Sequence, residues 1–226
     1  MNLLKDWGLF LMMKMNEKII KKEVFNFMLL LAAVLVNCLG SFIARNISIP
    51  LYLDSLLTIA VVALCGLWWG LACAVISNLT LYFFDYSMLP FTLCHMLTAL
   101  LAYITFWNYK KRLNLQTKNV SNEFPGSRNG TNKKELLIPL ETFLWAGLWS
   151  GISNAVSGNL ISDFLFGANT GVDNIDTAVR SIYLAIGNLR LAIYLGGLIT
   201  NLTDKTLSAV LSFIFYEAAR RVYKKL

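Results

Sequence analysis

The sequence predicts an all-α integral membrane protein, a bundle of about six transmembrane helices with one additional surface or re-entrant helix. Of its 226 residues, 57% are hydrophobic and 15% are charged, and the mean hydropathy is +0.58. In an ordinary soluble domain, charged residues make up about a quarter of the chain. Several apolar stretches approach the roughly 20 residues with which a helix crosses a bilayer. They lack the alternating pattern, about ten residues long, of a membrane barrel strand.

The apolar stretches divide the chain into four parts. Residues 1–23 are expected to be cytoplasmic or interfacial, and residues 24–107 to form the first four membrane helices. Residues 108–139, rich in Asn, Lys, Gly and Ser up to 134, are expected to form a flexible cytoplasmic loop. Residues 140–226 hold the remaining helices and a basic C-terminus. The clearest predicted spans are 24–44, 51–64, 68–84, 89–107 and 140–164.

Lysine and arginine set the predicted orientation. They cluster in the N-terminal part, in the loop and at the C-terminus, so the positive-inside rule places all three in the cytoplasm. An even number of crossings must then follow the loop, although three apolar stretches do: 140–164, 181–199 and 206–223. We favour 206–223 as the last span, with 181–199 at the outer surface or partly re-entrant, because Asn188 and Arg190 are costly at the bilayer centre. In the alternative, 206–223 lies on the cytoplasmic face.

One sequence pattern occurs twice. Residues 66–79 and 147–160 both read G-L-W-x-G-[LI]-x-x-A-V-x-[SG]-N-L. Small residues let membrane helices approach closely, and a buried asparagine needs a polar partner. The pattern therefore predicts two parallel, tightly packed helices, with Gly66 and Gly147 at the inner surface and the asparagines in the outer half. Chance similarity between two apolar helices is the alternative.

Several short motifs are spread over residues 26–223. They are Pro50-Leu51-Tyr52-Leu53-Asp54-Ser55-Leu56-Leu57-Thr58, Gly66-Leu67-Trp68-Trp69-Gly70, Asn78-Leu79, Leu89-Pro90-Phe91, Phe166-Gly167-Ala168-Asn169-Thr170-Gly171, and Asp204-Lys205. Together they resemble the substrate-binding S components of energy-coupling factor (ECF) vitamin transporters. In this comparison Asp204-Lys205 opens the last helix.

The resemblance implies a six-helix protein of the cell membrane that captures a vitamin or similar small molecule from outside. Besides membrane lipid, it implies a transmembrane coupling subunit and two ATPase subunits as partners. The family's coupling contact uses A-x-x-x-A on the first helix, and the nearest matches here are Ala32-x-x-x-Val36, Ala33-x-x-x-Asn37 and Gly40-x-x-x-Ala44. Related modules serve as inputs of bacterial sensor kinases, so a membrane sensory or regulatory module acting through partner proteins is the alternative function. The short segment after Tyr223 disfavours it.

Candidate substrate-binding residues lie in the predicted outer loop between the first two helices. Arg45, Tyr52 and Asp54 fall there. Because arginine binds carboxylates bidentately, Arg45 and Asp54 are candidates to clamp the acid and amide groups of a ligand. A mutual ion pair or interfacial anchoring explains them equally well, and Asp54 can also cap the second helix.

Further candidates lie on the two repeat helices and beyond them. Asn78 and Asn159 are expected to line one pocket from two sides, and an interhelical hydrogen bond is the alternative. The predicted outer rim adds Tyr82, Asp85, Tyr86, Asp163, Asn169 and Thr170. Such side chains suit a flat vitamin ring, although aromatic residues are expected at any membrane interface.

No catalytic motif occurs in the sequence. It has no G-x-x-x-x-G-K-[ST] loop, no H-E-x-x-H and no nucleophile elbow, so we expect no enzymatic activity, no ATP hydrolysis and no cofactor. His95 has no second ligand at helical spacing and is expected to be packed or hydrogen-bonded, with no metal. The four cysteines lack C-x-x-C spacing and are expected to pack in the core. The basic residues adjoin hydrophobic segments, which argues against nucleic acid as a partner.

Overall fold

The computed structural model describes residues 3–123, 137–167 and 172–223, with side chains from residue 17 to 115 in the first range. Every regular element in these ranges is a helix, which confirms the all-α class. The helices are α1 (Leu3–Asn46), α2 (Thr58–Cys65), α3 (Leu67–Tyr82), α4 (Thr92–Glu123), α5 (Leu140–Phe166), α6 (Asp173–Ile186) and α7 (Leu189–Tyr223). A 3₁₀ turn, Tyr86–Met88, lies between α3 and α4.

The last two helices differ from the predicted spans. Residues 181–199 do not form one segment, because Gly187 adopts a left-handed conformation (φ +69°) and separates α6 from α7. Asn188 then accepts a hydrogen bond from the backbone N–H of Leu191 (3.1 Å) at the start of α7. The expectation that Asp204-Lys205 opens the last helix is wrong, since both residues lie in the middle of the 35-residue α7.

Two other boundaries also differ from the prediction. The second helix begins at Thr58, so residues 51–57 of the predicted span are not helical. Leu57 occupies the N-cap position and no side chain caps the helix, so the prediction that Asp54 caps it is wrong. At the other boundary, α4 continues to Glu123, well into the segment predicted to be a loop.

Helices α4 and α5 pack against each other, and the other helices pack around them. Helix α5 lies between α4 and α7, α3 contacts α1, α2 and α4, and α6 packs on α7. Phe143 of α5 is fully buried, and its ring lies 4.9 Å from Phe106 of α4 and 5.3 Å from Tyr216 of α7, centroid to centroid. Aromatic packing thus joins three helices near the end of the bundle where α5 begins.

Both copies of the repeated pattern are helical and bury equivalent positions. Gly70 and Gly151 are buried, as are Asn78 and Asn159, while the equivalent tryptophans Trp68 and Trp149 are exposed. The first glycines differ: Gly66 lies between α2 and α3, whereas Gly147 lies within α5. A Cβ atom at Gly147 would come within 2.6 Å of the backbone oxygen of Lys205, so the glycine permits close contact between α5 and α7.

Hydropathy singles out one described helix as long and apolar enough to cross a membrane. It is the Glu17–Asn46 part of α1, with a mean hydropathy of 2.4 in its best window. Helix α3, Leu67–Tyr82, is apolar but shorter.

Candidate functional site

A buried ammonium group joins the middle of α7 to the segment between α1 and α2. The Nζ atom of Lys205 donates hydrogen bonds to Asp204 Oδ2 (2.6 Å), Ser55 Oγ (2.7 Å) and Asp54 Oδ1 (3.0 Å). The side chains of Lys205 and Asp204 are 3% and 0% exposed. An ammonium group has three N–H donors, so Lys205 is fully satisfied. We call these four residues the Lys205 centre.

The Lys205 centre also fixes the backbone that precedes α2. The N–H of Leu53 donates to Asp204 Oδ1 at 2.7 Å, so both carboxylate oxygens of Asp204 accept a bond. Leu53 itself has φ +48°, a left-handed conformation that a branched side chain adopts only when its surroundings enforce it. The polar contacts of the centre thus hold residues 53–55 against α7.

A second polar network runs through the bundle beside the Lys205 centre. Asn37 of α1 accepts from the N–H of Leu57 (3.0 Å) and donates to Thr58 Oγ1 (3.1 Å) and Ser77 Oγ (3.2 Å). Thr58 Oγ1 lies 2.6 Å from Nε2 of His95. This network joins α1, α2, α3 and α4 through side chains that are almost wholly buried.

The direction of donation in this network can be assigned from its last member. Asn78 donates from Nδ2 to the backbone oxygen of Met88 (3.3 Å), so its Oδ1, 2.9 Å from His95 Nδ1, is an acceptor. His95 must therefore carry its proton on Nδ1, which leaves Nε2 to accept from Thr58. Each member donates to the next, from Asn37 to Met88. The prediction that His95 is hydrogen-bonded is confirmed.

Arg45 has an internal partner at the end of α1. Its Nη1 atom lies 2.7 Å from Asp85 Oδ2, and Nη2 lies 3.2 Å from the sulfur of Met88. Asp85 also accepts from the N–H and hydroxyl of Ser87. Burial raises the pKa of Asp85, but the hydrogen bonds from Ser87 and Arg45 outweigh it and lower the pKa below its ordinary value. The predicted mutual pairing of Arg45 with Asp54 is wrong, because each has a different partner.

Three of the predicted site residues surround one small space. Arg45, Tyr52 and Asp54 line it together with Met88 and other neighbours from α1 and the start of α6. The space is closed in this structure, because a water molecule does not fit between the side chains that line it. Asn174 of α6 closes the same end of the bundle, because its Nδ2 donates to the backbone oxygen of Arg45 at 3.2 Å.

The repeat asparagines do not face one pocket. Asn78 belongs to the network described above, whereas Asn159 of α5 donates to the backbone oxygen of Tyr194 (3.5 Å) and contacts Gly197 of α7. The prediction that both line one pocket is therefore wrong, and the alternative of interhelical hydrogen bonding holds for both. Two different helix pairs use the same position of the pattern.

The remaining rim residues do not converge on the small space. Tyr82 and Tyr86 pack edge to face with centroids 5.1 Å apart, and Tyr86 is 76% exposed. Asp163 is exposed on α5. Asn169 and Thr170 lie outside the described residues.

Three central residues were absent from the predicted site. The sequence places Lys205 in a motif and Asn37 in a helix-contact pattern, and for His95 it predicts only packing or a hydrogen bond. The signal that identifies them is an ionisable or amide side chain inside an apolar helix, which must find a buried partner.

The described residues contain no group of three or more His, Cys, Asp or Glu side chains placed to hold a metal ion. No protein-family model, curated protein or solved structure matches the chain.

Proposed function

We propose that this chain is the membrane-embedded substrate-capture subunit of an ECF-type uptake transporter. In this proposal it binds a vitamin-like small molecule from outside and relies on a separate coupling subunit and separate ATPase subunits. The observation that carries the proposal is the inverted distribution of side chains, apolar outside and polar inside. An aqueous environment disfavours that arrangement, and a bilayer favours it.

The outer surface of α1 illustrates the apolar exterior. Val24, Met28, Leu31, Leu35 and Phe42 recur at helical spacing and are all about half exposed or more. Large exposed apolar side chains also follow one another along α5 and α7; they are Trp145, Trp149, Val156, Leu160, Phe164, Leu191, Leu198, Ile199 and Ile214. Such continuous stripes on three helices suit contact with lipid chains.

The interior has the opposite character. Asn37, Asn78, His95, Asp204 and Lys205 are each no more than 2% exposed. In a bilayer, ionisable groups face the bundle interior, pair with one another and mark sites of function. The Lys205 centre and the adjoining network follow this rule.

The helix lengths support a six-crossing topology. Helix α7, at about 1.5 Å per residue, is long enough to cross a bilayer, whereas the 14-residue α6 is too short. With α6 at the outer surface, six segments cross: the helices α1, α3, α4, α5 and α7, and residues 51–65, in which the non-helical backbone of 51–57 adds to the length of the eight-residue α2. Both termini are then cytoplasmic. This arrangement removes the parity conflict among the three apolar stretches after the loop.

Capture from outside is supported by the position of the small space between α1, the segment before α2 and α6. Arg45, Tyr52 and Asp54 meet there; Arg45 is paired with Asp85 and Asp54 with Lys205, so in this proposal these contacts open to admit a ligand. Polar groups placed among apolar side chains are typical of small-molecule sites. The motif Pro50–Thr58, on which the resemblance to S components partly depends, supplies two of these three groups.

Partner subunits and topology can be tested together. We expect the tagged chain, extracted in mild detergent from its native membrane, to co-purify with ATPase subunits. In a variant without native cysteines, Ile47→Cys should react with an impermeant thiol reagent in intact cells, and Lys111→Cys should react only after lysis. Both positions are exposed. Co-purification with a kinase and no ATPase would instead support the sensory alternative, and the reverse labelling pattern would refute the topology.

A further inference from the structure

A cleft lies between the later part of α4 and the start of α5, at the far end of these helices from the small space. Its volume is about 650 Å³. Asn108, Arg112 and Glu141 contribute polar groups, and Trp145 and Trp149 form an apolar wall. The two indole rings stack with centroids 6.5 Å apart, and both side chains are about half exposed.

The cleft carries one charge of each sign. Arg112 and Glu141 are both exposed there, and among the described residues they form no ion pair with each other. Pro139 and Tyr109 also line the cleft, and the hydroxyl of Tyr109 donates to the backbone oxygen of Leu137 at 3.1 Å. The two oppositely charged groups suit the two charges of a zwitterion, and the aromatic wall beside them suits an acyl chain attached to it.

We propose that this cleft binds phosphatidylethanolamine from the inner leaflet, an inference that rests on the membrane topology of the proposed function. Arg112 binds the phosphate, Glu141 accepts hydrogen bonds from the ammonium group, and one acyl chain lies along Trp145 and Trp149. Arginine pairs well with phosphate, and tryptophan is enriched at the level of lipid headgroups.

The choice of ethanolamine follows from the donors that each headgroup offers. Its ammonium group has N–H donors for Glu141, whereas the quaternary ammonium of phosphatidylcholine has none. Phosphatidylglycerol has hydroxyl donors but no cation, so its phosphate satisfies Arg112 while no positive charge offsets the repulsion between that phosphate and Glu141. The cleft should therefore discriminate among three lipids that share the same chains.

Lipid titration of the purified chain, followed by native mass spectrometry, tests the proposal. With dioleoyl chains throughout, phosphatidylethanolamine should bind more tightly than phosphatidylcholine and phosphatidylglycerol. Arg112→Gln should weaken its binding about tenfold, the effect expected for one charge-assisted hydrogen bond. Glu141→Gln should weaken it similarly while leaving phosphatidylglycerol binding unchanged or tighter. Arg190→Gln, a change of an exposed arginine at the start of α7, is the matched control and should have no effect.

Two results would overturn the lipid assignment: equal affinity for all three lipids, or tightest binding of phosphatidylglycerol with no effect of Glu141→Gln. Either result leaves the proposed function intact, because membrane extraction and ATPase co-purification are measured separately. A chain that is soluble without detergent would instead refute the proposed function. Circular dichroism of each variant separates lost lipid binding from lost folding.

Discussion

Lys205→Met should destabilise the protein strongly. Among the described residues, Lys205 is the only cation that pairs with the carboxylates of Asp54 and Asp204, and the substitution leaves both without a cationic partner. Asp204 is 0% exposed at its side chain and Asp54 is 15% exposed, so water cannot replace the lost ammonium group well. Removal of one partner from a buried ion pair costs about 3–5 kcal/mol. In a protein of this size, 1 kcal/mol corresponds to about 2–4 °C in Tm, so we expect Tm to fall by roughly 6–20 °C.

Thermal unfolding of the detergent-solubilised protein measures this effect, with intrinsic fluorescence as the signal. The matched control is Lys21→Met, which removes a lysine that pairs with Glu17 but is 56% exposed at its side chain. Exposed pairs contribute about 0–1 kcal/mol, so the control should lower Tm by no more than a few degrees.

A triple variant separates buried charge from the loss of packing. In Lys205→Met/Asp204→Asn/Asp54→Asn, neither carboxylate remains to be left unpaired, and the asparagine that replaces Asp204 can still accept the N–H of Leu53. We expect the triple variant to recover much of the stability lost in the single variant, since replacement of a whole buried ionic group is far less costly than removal of one partner. An unchanged Tm in Lys205→Met, or a triple variant no more stable than the single one, would refute the reasoning.

The other predictions concern helix packing, the buried network and pH. Gly147→Ala should lower the free energy of unfolding by about 1–3 kcal/mol, because its Cβ would meet the backbone oxygen of Lys205 at 2.6 Å. Gly158→Ala is the control and should have little effect, since the nearest atom to its Cβ would be 3.9 Å away. Equal effects of the two substitutions in thermal unfolding would contradict the close packing of α5 on α7. Asn78→Ala should cost about 1–3 kcal/mol, since its histidine partner loses a buried acceptor, and an unchanged Tm would count against the assigned network. Asp85→Asn should lower stability by about 1 kcal/mol at neutral pH. Because the folded pKa of Asp85 is lowered, the difference from the parent should be complete above the ordinary value of 3.8 and be lost as pH falls through the lower folded pKa. A difference that does not shrink as pH falls below 3.8 would contradict the assignment.

Much of the architecture follows from hydrophobic patterning. The all-α class and the approximate positions of α1, α3 and α5 are predicted because long apolar stretches form helices wherever their backbone groups must bond internally. The break at Gly187 was missed because the apolar pattern continues across it. The 51–64 stretch is predicted as one helix for the same reason, although a tertiary contact of Asp204 with Leu53 holds its first half in a non-helical conformation.

The candidate site shows a sharper limit. The burial of Asn78 can be predicted from its position in an apolar helix. The identity of its partner, His95, depends on how α3 packs against α4, which the sequence does not show. Asp54 and Lys205 are 151 residues apart in the chain, and nothing local to either residue identifies the other. A carboxylate before an apolar helix suggests a cap, and only the packing of α7 shows that a buried lysine competes for it.

Ligand binding to the purified chain tests the central claim most directly. A vitamin panel should yield one small molecule that binds with submicromolar affinity, and Asp54→Asn should weaken that binding at least about tenfold through the loss of a charged contact. Asp163→Asn, which changes an exposed aspartate of α5 outside the small space, should bind as the parent does. A folded, membrane-extracted protein that binds no member of the panel, or whose affinity is the same after Asp54→Asn, would contradict capture at this site.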